Sequence, residues 1–206
     1  MSKKSFPYFI LFLNFVPFIT LATIDYFKLP DFGLGFYGPY LLVFTLLLGI
    51  YAFQQGFSAK ELGFRKDNLK KSLIANSLLS LVFIGLILGL FFYNPFATFR
   101  QPHLPTWDWY YFRYVLLYCP AQEFIYRSLV FAKLRRNGIK KATPLILISA
   151  VTFSLIHTPF LNGFTLFLTL IAGLAWGYIY NKYPNFWGTA LSHAILGTLT
   201  IAVGLL

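Results

Sequence analysis

A glutamate and an arginine four residues apart, in the run Gln122-Glu123-Phe124-Ile125-Tyr126-Arg127, lie inside a long apolar stretch. On a helix this acidic-then-basic i, i+4 order puts both side chains on one face, where they can pair. Two of the three histidines, His157 and His193, also fall within apolar stretches. Ionisable groups are costly in hydrocarbon and by default mark a site. A carboxylate and an imidazole together can hold and deprotonate a water, while a second imidazole can stabilise the oxyanion formed on an attacked carbonyl. The chemistry these residue types permit is peptide hydrolysis. Three other readings compete with it. Glu123 and Arg127 can simply neutralise each other. Two histidines and a glutamate can hold zinc, although the H-E-x-x-H spacing is absent. Cys119, one turn before Glu123, can form a Cys-His nucleophile, but a thiol in apolar surroundings is inert as a rule.

The elements that must position these groups are membrane spans. Of the 206 residues, 58% are hydrophobic and 21% aromatic, against 11% charged, a balance no soluble domain needs. Hydrophobic stretches run from Phe6 to Phe27, Phe36 to Phe53, Ser72 to Tyr93, Trp109 to Lys133, Ala142 to His157, Phe164 to Asn181 and Phe186 to Leu206. They predict an all-α polytopic bundle of about seven transmembrane helices, each needing about 20 apolar residues. The net charge of +11 does not imply nucleic acid, because most Lys and Arg sit in short connections. Thirteen, from Lys3 and Lys4 through the 60–71 and 133–141 connections to Lys182, occupy alternate connections, against Lys28, Arg100 and Arg113 on the other side. The bias predicts a cytoplasmic N-terminus. The apolar N-terminal stretch is too long for a signal peptide and reads as a retained first helix bent at Pro17.

No internal repeat or separate soluble unit is evident, so residues 1–206 read as a single membrane domain. The absence of inverted repeats also ranks a proton-coupled carrier last. The longest polar connection, Gln54 to Lys71, contains Ser58-Ala59-Lys60-Glu61-Leu62-Gly63, the pattern of a short capped helix ending at a glycine. Asn94 to Asp108, with three prolines and Trp107, fits an outer interfacial loop. Pro120 is expected to break or restart the fourth span beside Glu123. Gly173 and Gly177 give the sixth span a small-x-x-x-small packing face. At about 1.5 Å per residue, Glu123 lies about 22 Å and His157 about 24 Å from an inner boundary near Gly138 to Lys141, and His193 roughly 16 Å beyond Lys182. One layer of the bundle can therefore hold all three.

At these residues the chain resembles the CAAX protease and bacteriocin-processing (CPBP, or Abi) family, which includes type II CAAX prenyl endopeptidases. Its motifs E-E-x-x-x-R, F-x-x-x-H and H-x-x-x-N/D correspond in order to Gln122 through Arg127, Phe153 through His157, and His193 through Gly197. Flanking runs, Glu61-Leu62-Gly63-Phe64, Gly173-Leu174-Ala175-Trp176-Gly177-Tyr178 and Leu191-Ser192-His193-Ala194, are similar too, so the resemblance covers about residues 58–200. It implies an intramembrane endopeptidase in which His157 matches the water-activating histidine and His193 the oxyanion histidine, with Glu123 and Arg127 as the second glutamate and the arginine. Two positions depart from the pattern. Gln122 stands where the first glutamate belongs, and an amide cannot take a proton from water. Gly197 replaces the terminal Asn or Asp and offers no side-chain donor; Thr198 or a backbone N–H is the replacement the sequence suggests.

The reading that follows is a peptidase acting on a membrane-associated or lipid-modified polypeptide. Glu123 and His157 activate water, His193 holds the oxyanion, and Gln122, Arg127, Phe153 and Gly197 support them. The alternative is a catalytically impaired relative serving as a bacteriocin-immunity or membrane scaffold protein. No cofactor is expected, with a divalent metal as the lesser alternative. The expected partners are membrane lipids and a peptide or lipidated protein substrate, in a prokaryotic plasma membrane crossed several times.

Overall fold

The computed structural model describes residues 9, 12, 13, 15, 34–93, 109–158 and 162–205, with backbone alone at 34–37 and 110. The first hydrophobic stretch beyond its few described positions, its bend at Pro17, and the Asn94 to Asp108 connection lie outside these residues. The described elements are helical and include no strand. They are α1 (Leu34–Gln54), α2 (Leu69–Tyr93), α3 (109–136), α4 (Ala142–Leu155), α5 (Gly163–Lys182) and α6 (Phe186–Ala202). Each coincides with one of the last six hydrophobic stretches. Only α2 and α5 are both long and apolar enough to cross a membrane by length and composition; α4 and α6 are shorter apolar helices.

Pro120 does not break α3. The run passes from Trp109–Arg113 through a π-helical turn, Tyr114–Tyr118, into α-helical Cys119–Glu123, then a second π turn, Phe124–Leu129, and α-helical Val130–Arg136. A proline has no N–H to donate and crowds the carbonyl four residues back. A wider turn before it accommodates both demands, with the Cys119 N–H bonding to the Tyr114 carbonyl five residues back. Glu123 and Arg127 thus sit on a continuous rod flanked by wide turns.

Along most of α2, packing turns polar residues inward and aliphatic ones outward. On α2 the buried positions Ser72, Asn76 and Ser80 follow a four-residue spacing, whereas Ile74, Leu78, Leu81 and Val82 are exposed. α4 and α5 lie close because Gly173 and Gly177 have no side chains. A Cβ on Gly173 would stand 3.0 Å from the Ala150 Cα, and one on Gly177 would stand 3.3 Å from the Ile146 Cγ2. Asn162 and Asn185 start α5 and α6 by accepting from the backbone N–H groups of Phe164 at 2.9 Å and Gly188 at 3.2 Å. The Asn185 amide also donates to the Arg65 carbonyl at 2.7 Å and to Asn68 Oδ1 at 2.9 Å. The start of the helix that carries His193 is thereby fixed to the 58–68 connection.

That connection is a turn rather than the short helix expected from its sequence, although the capping pair forms. The Ser58 N–H donates to Glu61 Oε2 at 2.8 Å, and the Glu61 N–H donates to Ser58 Oγ at 3.2 Å. Gly63 closes the turn at φ 81°, a left-handed conformation suited to glycine. Glu61 then receives both Arg136 Nε and Nη2 at 2.7 Å, while Arg136 also donates to the carbonyls of Gln55 and Gly56 at 2.7 Å. The hydrogen bond from Arg136 is the main cause lowering the Glu61 carboxyl from 4.5 to about 2. Because this pKa is lowered on folding, its stabilising contribution is complete above about 4.5 and is lost as pH falls through about 2. A Glu61→Gln variant is expected to lose less thermal stability than the wild type over that acid window, as read by unfolding in detergent.

Candidate active site

Four side chains, Arg127, Phe153, Trp176 and His193, from four helices form one cluster with Glu123. The carboxylate is fully buried on α3, where its Oε1 accepts from His193 Nδ1 of α6 at 2.7 Å and stands 3.3 Å from Arg127 Nη1. Arg127, equally buried, lies over the Phe153 ring of α4 with its Cζ 4.0 Å from the ring centroid, and over Trp176 of α5 at 5.3 Å. The π faces offset part of the cost of removing the guanidinium from water. Trp176 stacks on His193 at 4.8 Å between centroids and 26° between planes. The Trp176 indole N–H donates to Ser192 Oγ at 2.9 Å, and Ser192 shares a hydrogen bond of 2.8 Å with Ser80 of α2. The imidazole of His193 is thus set by a carboxylate at one nitrogen and an indole on one face.

His157 follows the end of α4. Its Nδ1 bonds to the Phe153 carbonyl at 2.9 Å. Phe153 separates the two histidines, with its ring edge-on to His157 at 5.0 Å and to His193 at 5.5 Å. Both imidazoles line a cavity of about 260 Å³. Tyr114, Phe153, Trp176 and Gly197 share the wall, and aliphatic residues of α2 and α5, including Leu86, Leu90 and Leu168, complete it. Glu123 and Gln122 are not among the lining residues. The Gln122 Oε1 is buried and makes no hydrogen bond among the described residues.

The structure therefore brings Glu123, Arg127 and His193 into direct contact and puts His157 on the same cavity wall. It sets Glu123 behind His193 rather than beside the cavity. Gly197 faces the cavity, and the space a side chain would take there is filled: a Cβ would come within 1.9 Å of the Tyr114 hydroxyl. Thr198, the replacement donor suggested by sequence, has its hydroxyl buried without a partner among the described residues. Sequence reasoning missed Tyr114 altogether. With 14 tyrosines in the chain, nothing in an aromatic stretch distinguishes this one. Trp176 was visible only as part of a similar run of letters, not as the surface that holds His193.

For a metal, the donor set does not converge. Among the described residues no three of His, Cys, Asp and Glu come together to hold an ion, and the nearest carboxylate oxygen to His193 is already engaged by its Nδ1. Cys119 is buried on α3 and free of any disulfide.

The fold and site define a class: an all-helical protein whose apolar cavity is walled by two histidines, one of them backed by a buried carboxylate paired with an arginine. Residues 104–199 match the model of the family described as type II CAAX prenyl endopeptidase Rce1-like. The match includes Tyr114, Glu123, Arg127, Phe153, His157, Trp176, His193 and Gly197. Comparisons with curated proteins and with solved structures gave no match.

Proposed function

We propose that the chain is an intramembrane peptidase that hydrolyses a membrane-associated or lipid-modified polypeptide. The observation that carries this reading is the 2.7 Å bond from His193 Nδ1 to Glu123, in a ring that lines an apolar cavity. A membrane location is supported by the inside-out pattern of α2, whose serines and asparagine are buried while its aliphatic side chains face outward. Water would penalise that arrangement and lipid favours it.

The chemistry follows from the tautomers. Carboxylates and carbonyls only accept, so His193 Nδ1 and His157 Nδ1 carry protons, and in a neutral imidazole the Nε2 is then an acceptor. A water bound between the two Nε2 atoms offers each a proton. His193 Nε2 takes one as the water oxygen attacks the scissile carbonyl carbon, and the π pair moves onto the carbonyl oxygen. Glu123 stabilises the imidazolium that forms, acting through His193 as a positioning residue rather than on the water itself. When the tetrahedral intermediate collapses, the C–N bond breaks and His193 returns the proton to the leaving nitrogen. Gln122 has no proton to take or give in this sequence of steps, so the departure from a second glutamate does not stop it. The aliphatic wall of α2 and α5 accepts an apolar chain attached to the substrate.

A purified chain in detergent should cleave a farnesylated peptide with kcat/KM at least about 10-fold above its unmodified counterpart, since burying even two methylenes contributes about 1.6 kcal/mol. Mass spectrometry of the products reads this directly. Equal cleavage of both peptides would remove the lipid-modified substrate from the proposal.

A further inference from the structure

We propose that a second cavity, walled by Lys60, Arg65, Arg135 and Arg136, binds a phosphate group, carried by an anionic lipid headgroup at the membrane surface or by soluble phosphate. The site lies apart from the hydrolytic one and does not depend on it. Arg135 follows Glu123 by twelve positions on α3, which sets it about 18 Å along the helix from that carboxylate. The cavity measures about 410 Å³ and is lined by the 58–68 connection, the last turn of α3 and Pro184 ahead of α6.

Four cations meet one carboxylate in this wall, and that carboxylate, Glu61, is already held by Arg136. Among the described residues no carboxylate pairs with Lys60 or Arg135. Donors therefore remain open. A guanidinium has five N–H groups. Arg65 gives two of them to Asp67, and Arg135 turns one nitrogen, Nη2, to Asn181 Oδ1 at 3.2 Å and the Asn181 carbonyl at 3.5 Å. Lys60, exposed and in no ion pair among the described residues, adds an ammonium with three more. Arg65 and Arg135 also lie near enough for their charges to repel. An anion beside both replaces that repulsion with two charge-assisted contacts.

The frame around these cations is fixed by other bonds. Arg136 holds the carbonyls of Gln55 and Gly56 and lies over the Phe57 ring, its Cζ 3.8 Å from the centroid. The Phe186 N–H, at the start of α6, donates to the Gly63 carbonyl at 2.9 Å. Cations placed in advance lose less freedom when a ligand arrives. The basic residues of the last turn of α3, Lys133, Arg135 and Arg136, offset the negative pole of that helix. The level in the bundle suits a headgroup. Trp187, three residues past Pro184, is 56% exposed, and aromatic side chains of this kind sit where hydrocarbon meets water. Basic cavities at the ends of spans are where anionic lipid phosphates bind.

The test titrates the purified chain, in a nonionic detergent, with phosphatidylglycerol and with phosphatidylcholine of the same acyl chains, counting bound lipid by native mass spectrometry. Inorganic phosphate is added separately and read by thermal unfolding. Neither readout involves peptide cleavage. Phosphatidylglycerol should bind at least about 10-fold tighter than phosphatidylcholine, whose own cation meets the four of the wall, and Lys60→Gln and Arg135→Gln should each weaken it about 10-fold. The double variant Lys140→Gln/Lys141→Gln, which removes positive charge outside the cavity, should stay within about twofold of wild type. That pattern assigns the phosphate to a lipid. Equal binding of the two lipids, with an unfolding midpoint that inorganic phosphate raises in wild type but not in Lys60→Gln, keeps the site and assigns it a soluble ligand. A lipid preference that survives Lys60→Gln and Arg135→Gln, or that the Lys140 and Lys141 variant loses equally, overturns the site. So does a wild type that responds neither to lipid charge nor to inorganic phosphate. Lys60 is exposed, so its variant decides even where Arg135→Gln, deprived of its bond to Asn181, fails to fold.

Discussion

Replacing His193 by alanine is expected to lower kcat for peptide hydrolysis by about 10³-fold or more, with little change in KM. The magnitude follows from removing the proton acceptor and, at the same time, the group through which Glu123 acts. His193 touches the cavity while its Nδ1 is bonded at 2.7 Å to a carboxylate with no exposure of its own. Glu123→Gln isolates the second part of that effect. The amide oxygen can still accept from Nδ1, but it supplies no negative charge to the imidazolium, so a smaller loss of about 10²-fold is expected. Steady-state kinetics on all three proteins, each checked for folding by thermal unfolding, read both values. A Glu123→Gln variant as slow as His193→Ala would instead place the carboxylate directly on the water, the role its sequence suggested.

The largest expected loss of stability comes from Arg127→Ala. Its guanidinium is fully buried, paired with Glu123 at 3.3 Å and sandwiched against Phe153 and Trp176. Removing one member of a buried ion pair leaves the other charge uncompensated and costs about 3–5 kcal/mol. In detergent the unfolding midpoint should fall accordingly. Arg127→Met combined with Glu123→Gln removes both charges and refills much of the volume, so it should recover part of what Arg127→Met alone loses. That non-additivity is the signature of a pair sharing one environment. Additive losses would mean that the two groups are stabilised separately.

Much of the fold was legible because hydrophobic length is a strong signal in this chain. Six stretches read from sequence coincide with the described helices, and the pair Gly173 and Gly177 marks the face on which α4 packs. The spacing of Glu123 and Arg127 likewise gives their pairing along one helix, a local relation that period 3.6 determines. What escaped the sequence was of two kinds. Local backbone was misread where a proline suggested a break and the chain answered with wide turns, and where a capping pair closed a turn instead of starting a helix. Long-range placement was out of reach. The bond between Glu123 and His193 joins residues 70 apart, and Tyr114 gains its position from a glycine on another helix. Periodicity says which face is turned inward, not which atom on the neighbouring helix it meets.

The two departures from the family motifs take on physical meaning in this geometry. Gln122 lies off the cavity, and Glu123, the carboxylate that remains, is in contact with His193. Gly197 is matched by a phenol that fills its space.

Hydrolysis in ¹⁸O-labelled water, followed by mass spectrometry of the products from wild type and His193→Ala, tests the central claim most directly. The account predicts one ¹⁸O in the new carboxylate of the wild-type product and at least about 10³-fold less product from the variant. Intact peptide after prolonged incubation with folded wild-type protein, or label incorporated equally by His193→Ala, would contradict it.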